Sequence, residues 1–251
     1  TSNNLFSWSN FLGELSNNIL GIVNITNDSF TDDGLLNKLE KIPQVYEAAS
    51  KLDIDFLDIG CVSTKPNFTP VSTEDELKRL NTFMRFKNDN FHYSIDSFNP
   101  IVAHEALENN FLVVNDISGA KEEKMIETVK RHSAGLIVSH RNQNSSSIHE
   151  KINYKDVVRD VKKDLRFQVK NILDRGVNKN QVAIDLGLGF AKTQEESAVL
   201  LESVGEFVGD YPLVVGYSRK KFTSLLQASE DELLTHCQNQ GVSLVRLHFI
   251  D

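Results

Sequence analysis

ILGIVNITNDSFTDDG, residues 19–34, is an apolar run that stops at a dense polar loop. The run from Ile19 to Val23 is short enough for a buried strand. Asn24 ends it, and Thr26, Asn27, Asp28, Ser29, Thr31, Asp32, Asp33 and Gly34 follow. A buried strand feeding a loop rich in hydrogen-bonding groups is how an α/β barrel presents chemistry at the C-terminal ends of its strands. Seven later segments repeat this arrangement. Further short apolar runs lie at 56–59, 93–95, 112–114, 136–138, 182–184, 213–215 and 244–247, each ending in polar residues.

Between them the sequence predicts helices over 36–52, from Ser72 or Thr73 onward, and over 100–108, 122–131, 154–175, 195–208 and 230–240. Ser72 or Thr73 can cap the second, whose first turn carries Glu74, Asp75 and Glu76. Eight strands alternating with helices predict a (β/α)8 TIM barrel, one domain over residues 1–251. No helix follows the eighth strand. Either the recorded chain omits residues or the closing helix is supplied otherwise. Residues 1–18, polar with Phe6, Trp8 and Phe11 scattered among them, are expected to cover one end of the barrel.

Composition narrows the function. The chain has 251 residues, 40% hydrophobic and 25% charged, and a net charge of −8. That sign argues against a general nucleic-acid or membrane-surface binder. No apolar run approaches the roughly 18 residues of a membrane span, and residues 1–18 lack the pattern of a signal peptide. Cys61 and Cys237 have neither zinc nor disulfide-framework spacing and read as thiols of a reducing compartment, the cytoplasm.

If eight strand ends meet around one pocket, their polar residues share it. Asp96, Asn115 and Asp185 offer two carboxylates and a carboxamide, a set that suits a flat heterocycle bearing several N–H donors. Asn24, Lys65, Arg246 and His248 suit a phosphate or diphosphate. The segment from Gly187 to Thr193 resembles a nucleotide P-loop faintly, but Ala191 stands where that motif needs Gly before Lys192. His92, His104, His132, His149 and His236 show no metal-ligand spacing and read as ordinary surface or core residues.

In combination these segments resemble dihydropteroate synthase. GIVNITNDSFTDDG at 21–34 resembles GILNVTPDSFSDGG, and DIGCVSTKP at 58–66 resembles DIGGESTRP. SIDS at 94–97 resembles SIDT, and NDISG at 115–119 matches NDISG. DLGLGFAKT at 185–193 resembles DPGIGFGKT, GYSRK at 216–220 resembles GTSRK, and RLH at 246–248 resembles RVH. The blocks stand in family order from about residue 19 to the end. Lys65 stands where the family has Arg, and Leu186 where it has Pro.

The resemblance implies a transferase of folate biosynthesis, a target of sulfonamides. 6-Hydroxymethyl-7,8-dihydropterin diphosphate would lose pyrophosphate to the amine of 4-aminobenzoate in an SN1-like displacement. Asp96, Asn115, Asp185 and Lys220 would hold the pterin. Asn24, Arg246 and His248 would hold the diphosphate, with Mg2+ near Asn24. Phe190 and Ser218 would border the aminobenzoate, and the loops at 26–34 and 60–67, the second with Thr64 and Lys65, would close over it. A homodimer and a fusion to a pterin diphosphokinase are both compatible with the family. Two rival readings are a methyltetrahydrofolate-type methyltransferase, which would not need Ser218-Arg219-Lys220 or Arg246 with His248, and a pterin-binding homologue that is weak or inactive.

Overall fold

A computed structural model of the chain describes residues 4–26, 39–64 and 70–250. Its centre is a closed barrel of parallel strands in sequential order: β1 (Ile19–Asn24), β2 (Phe56–Gly60), β3 (His92–Asp96), β4 (Val113–Asp116), β5 (Gly135–Ser139), β6 (Val182–Asp185), β7 (Leu213–Val215) and β8 (Leu244–Leu247). β8 pairs with β1 to close the ring, Leu20 lying opposite Arg246. The strands read as near-continuous apolar runs because helices cover their outer side.

α1 (Trp8–Glu14) precedes β1, and α2 (Ile42–Lys51), α3 (Thr73–Met84), α4 (Pro100–Glu108), α5 (Glu123–His132), α6 (Val157–Asp174), α7 (Gln194–Glu202) and α8 (Glu230–Gln240) connect successive strands. Ser72 caps α3 as expected, its Oγ accepting from the Asp75 N–H at 3.1 Å. The helix expected over 195–208 is α7 followed by a separate 3-10 turn, Val204–Phe207. Gly205 lies inside that turn, and the side chain of Gln240 from α8 occupies the space its Cβ would need. Pro43 sits in the first turn of α2, where a missing N–H costs nothing. No helix is present at 248–250, and no helix among the described residues is long and apolar enough to cross a membrane.

The barrel has a closed end and a chemical end. At the closed end Trp8 and Phe11 of α1 pack on Leu20, Phe56, Val113, Ile137, Ala183, Val214 and Leu244, inward-facing side chains of seven strands. Phe11 meets Phe56 edge to face at 4.9 Å, and the Trp8 indole N–H donates to the Gln181 carbonyl at 2.9 Å. Residues 4–18 of the expected segment 1–18 therefore do cover one end, as their aromatics suggest, and residues 1–3 lie outside the described residues. Period-two alternation then places Asn24, Asp58, Asp96, Asn115, Asp185 and Arg246 inward toward the other end.

Trp8→Ala is expected to lower the stability of the barrel by about 3 kcal/mol, through lost burial and an empty space under the strands. Urea unfolding measures this; a loss below about 1 kcal/mol would mean that α1 does not belong to the barrel core.

Candidate active site

Asp58 of β2 lies at the heart of the chemical end and is fully buried. Its Oδ1 accepts from Ser94 Oγ at 2.5 Å. Its Oδ2 accepts from Asn115 Nδ2 at 3.0 Å and from Arg246 Nε at 2.6 Å. Arg246 Nη2 reaches on to Asp96 Oδ2 at 2.9 Å. One guanidinium on β8 thus joins carboxylates on β2 and β3 from across the barrel. Burial would lower its proton affinity, but Asp58 and Asp96 outweigh that and hold it above the ordinary value. The sequence places Asp58 at a strand end without giving it a role; the clue was Asp58, Ser94 and Asn115 at inward positions of three successive strands.

The carboxamide of Asn115 is oriented by this network. Its Nδ2 is taken by Asp58, and its buried Oδ1 finds no hydrogen-bond partner among the described residues. An orphaned buried acceptor is costly unless a ligand supplies the donor. Asp96 stands beside it in register, since Asn115 pairs with Asp96 across β3 and β4. Burial raises the Asp96 carboxyl to about 7, with Arg246 pulling it down and Asp58 pushing it up.

Asp185, at the end of β6, completes the acceptor set. One of its oxygens accepts the Gly187 N–H at 2.8 Å. Gly187 has φ +63, and a Cβ there would come within 2.9 Å of the His140 carbonyl, so this turn admits glycine alone. Burial raises the Asp185 pKa against the pull of that N–H and of Lys220, Arg246 and Lys192.

Two lysines shape the loop after β6. Lys220 Nζ donates to the Leu188 carbonyl at 2.6 Å and lies 5.1 Å from the centre of the Phe190 ring. Lys192 Nζ donates to the carbonyls of Gly187 and Phe190 at 2.9 and 3.1 Å. Burial lowers Lys220 to about 8 and Lys192 to about 7, with Asp185 pulling both back up. Lys192 is therefore a buttress of its own loop.

Ser218 and His248 meet behind Arg246, Ser218 Oγ lying 3.1 Å from His248 Nδ1 and accepting the His248 backbone N–H at 3.2 Å. Asn24 ends β1 opposite Gly60, and a Cβ on Gly60 would come within 3.4 Å of both Asn24 Oδ1 and Asp96 Oδ2. Thr64 is half-buried after β2, where Arg79 anchors the loop by donating to the Cys61 carbonyl at 2.9 Å. Cys61 is buried and burial pushes its thiol up, which leaves it inert. Lys65 and the remainder of both expected closing loops lie outside the described residues.

A second layer backs the site. His140 is buried, its Nε2 2.8 Å from Asp164 on α6, and burial lowers its pKa to about 4. It is thus a neutral imidazole that ties β5 to α6. Asp116 accepts from Ser118 N–H and Oγ, closing the turn after β4.

A barrel whose strand ends carry a row of acceptors for a flat N–H-bearing ring, beside an arginine, lysines and a histidine, defines an enzyme site for a heterocycle with an anionic arm. Residues 20–248 match the family model described as pterin binding enzyme. The chain is 30% identical over 244 residues to the dihydropteroate synthase of Bacillus subtilis, covering 92% of this chain and 82% of that one. It superposes on the Yersinia pestis dihydropteroate synthase, solved with a sulfonamide drug, with TM-score 0.80 and 25% identity over 94% of this chain and 90% of that one. The Thermus thermophilus dihydropteroate synthase, solved with 4-aminobenzoate, gives TM-score 0.74 and 31% identity over 92% and 88%. The chain belongs to the pterin-binding enzymes and, among them, to the dihydropteroate synthases.

Asp58→Asn removes the carboxylate that balances Arg246 and is expected to cost about 3 kcal/mol, because a buried cation loses half of its compensation. Urea unfolding reads the effect. A cost under about 1 kcal/mol would show that Asp96 alone suffices to hold the guanidinium.

Proposed function

We propose that the chain condenses 6-hydroxymethyl-7,8-dihydropterin diphosphate with 4-aminobenzoate, releasing pyrophosphate and forming 7,8-dihydropteroate. The observation that carries this is the acceptor row of Asp96, Asn115 Oδ1 and Asp185, in which a buried oxygen lacks a partner. A pterin ring edge supplies N–H donors in that plane. Ser218-Arg219-Lys220 and Arg246 with His248, together with relatives named dihydropteroate synthase, favour this reaction over methyl transfer or mere binding.

Catalysis would then proceed as follows. The C–O bond to the diphosphate breaks, its electron pair leaving with pyrophosphate. Electron donation from the ring spreads the resulting positive charge, and ionised Asp185 and Asp96 stabilise it through the ring hydrogen bonds. The amine nitrogen of 4-aminobenzoate adds its lone pair to the methylene carbon, and its proton passes to the departed pyrophosphate. Asp58 and Asp96 hold the Nε and Nη2 groups of Arg246, so the guanidinium is fixed and its further N–H groups could meet a phosphate oxygen. His248, turned by Ser218, adds a second donor to the anion. Phe190 and Ser218 border the aminobenzoate, and Thr64 and Lys65 belong to the loop over it.

Mg2+ is part of this reading. Asn24 Oδ1 lies 3.4 Å from where a Cβ on Gly60 would stand. One or two hard oxygens are what a Mg2+ ion takes from protein while substrate phosphates and water complete its shell. When bound it would neutralise charge on the leaving diphosphate. A homodimer and a fused pterin diphosphokinase go with the family reading; light scattering of the purified chain tests the first.

Pyrophosphate release from the pterin diphosphate plus 4-aminobenzoate is the direct assay, and none above background would refute the proposal. Asp185→Asn is expected to abolish pterin binding in a folded protein, because an amide puts a donor where a second acceptor is needed. Unchanged pterin affinity by calorimetry would remove Asp185 from the site.

The pH dependence has a definite sign. Ionised Asp96 accepts the ring's donors, so kcat/KM should rise as pH climbs through about 7. Lys220 loses its charge through about 8, so kcat/KM should fall above that. A rate profile flat between about pH 6 and about pH 9 would contradict both roles.

A further inference from the structure

We propose that His104, Glu108 and His132 form a binding site for one zinc-class divalent cation, which ties α4 to α5 on the outer layer of the barrel. His104 and Glu108 stand at i and i+4 on α4, so they share one face of that helix. His132 is the last residue of α5, the neighbouring helix. His104 Nδ1 lies 2.8 Å from His132 Nε2, and Glu108 Oε1 lies 3.7 Å from that same nitrogen. One ligand atom from each of the three lies within 4.8 Å of the others.

These distances are close to those of a coordination shell. Zn–N bonds of about 2.0–2.1 Å at a tetrahedral angle place two ligand nitrogens about 3.3 Å apart. The two imidazoles need to part by about half an ångström, which small side-chain torsions supply. The Glu108 side chain is 57% exposed and that of His132 12% exposed. The carboxylate is therefore free to swing inward, and the metal has a route from solvent. Water would fill the fourth position.

The donor set selects the ion. Two imidazoles and one carboxylate suit Zn2+, and also Cu2+ or Ni2+, whereas Mg2+ and Ca2+ prefer oxygen throughout. This separates the site chemically from the Mg2+ position near Asn24. It is separate in space as well. His132 precedes the first residue of β5, Gly135, by three positions, whereas the pterin pocket lies beyond the other end of the strands. Without a metal one ring donates its N–H to the lone pair of the other, and an ion entering between them would take the place of that shared proton. The ion would act as a clamp: α4 and α5 connect β3, β4 and β5, which carry Asp96, Asn115 and Ser139 at their far ends.

Tag-free protein titrated with Co2+ tests this. The expected result is one saturable equivalent with the visible absorption of a four-coordinate ion, displaced by Zn2+ and not by excess Mg2+. Zn2+ at about a hundredfold excess over its Kd should raise Tm by about 5 °C. Glu108→Gln, an exposed change that leaves the fold intact, should weaken Zn2+ binding by about tenfold, while pyrophosphate release stays unchanged. His104→Gln with His132→Gln should abolish the Co2+ signal. Absence of one-equivalent binding, survival of the signal in the double variant, or displacement by Mg2+ would overturn the proposal.

Discussion

The barrel interior depends on a guanidinium held between a buried carboxylate, Asp58, and a partly buried one, Asp96. Taking Arg246, Asp58 and Asp96 out of water costs several kcal/mol for each ion before their mutual attraction is counted. The geometry recovers this with short hydrogen bonds from Arg246 to both partners. Ser94 and Asn115 then satisfy the remaining capacity of Asp58. The arrangement has a direct consequence for ligand binding. Because Asp58 accepts the Asn115 amide N–H, the Asn115 carbonyl oxygen is left without a partner among the described residues and can accept from a ligand. A buried ion pair placed one turn of pleat below the pocket therefore decides which atoms the pocket shows.

Such a polar layer is tolerable only because the rest of the interior is dry. Trp8 and Phe11 close the opposite end over a ring of apolar side chains. Above that layer the loop after β6 would expose carbonyls at Gly187, Leu188 and Phe190. Lys192 and Lys220 take all three, and their charge lies against Asp185. The same two side chains thus shape the loop and offset part of the rise that burial imposes on the carboxylate beside it.

Much of this was legible in the sequence. The eight strands fall within a residue or two of their expected limits, because buried parallel strands are written as short apolar runs ending in polar groups. The covering role of residues 4–18 followed from three aromatics in an otherwise polar segment. Helix limits were less legible. The expected helix over 195–208 ends at Glu202 and continues only as a 3-10 turn, in which Gly205 packs against Gln240 of α8, some 35 positions later; nothing local announces it. The 3-10 turn Lys221–Leu226 was likewise unforeseen, since its residues carry no clear helical period.

What the sequence hides most completely is contact between elements. Asp58 reads as one more strand-end residue until Arg246, 188 positions away, is seen to grip it. His104 and His132 read as bland for a similar reason, since spacing rules look for ligands along one segment and these lie on two helices. In both cases the chemistry is fixed by the barrel's closure and by the packing of adjacent outer helices, which bring together groups that no linear motif records. The two proposed cation positions would accordingly differ in ligand type, the Asn24 oxygen above the strands against the imidazoles of His104 and His132 outside them, so that a hard ion and a borderline one would be sorted by donor chemistry rather than by affinity alone.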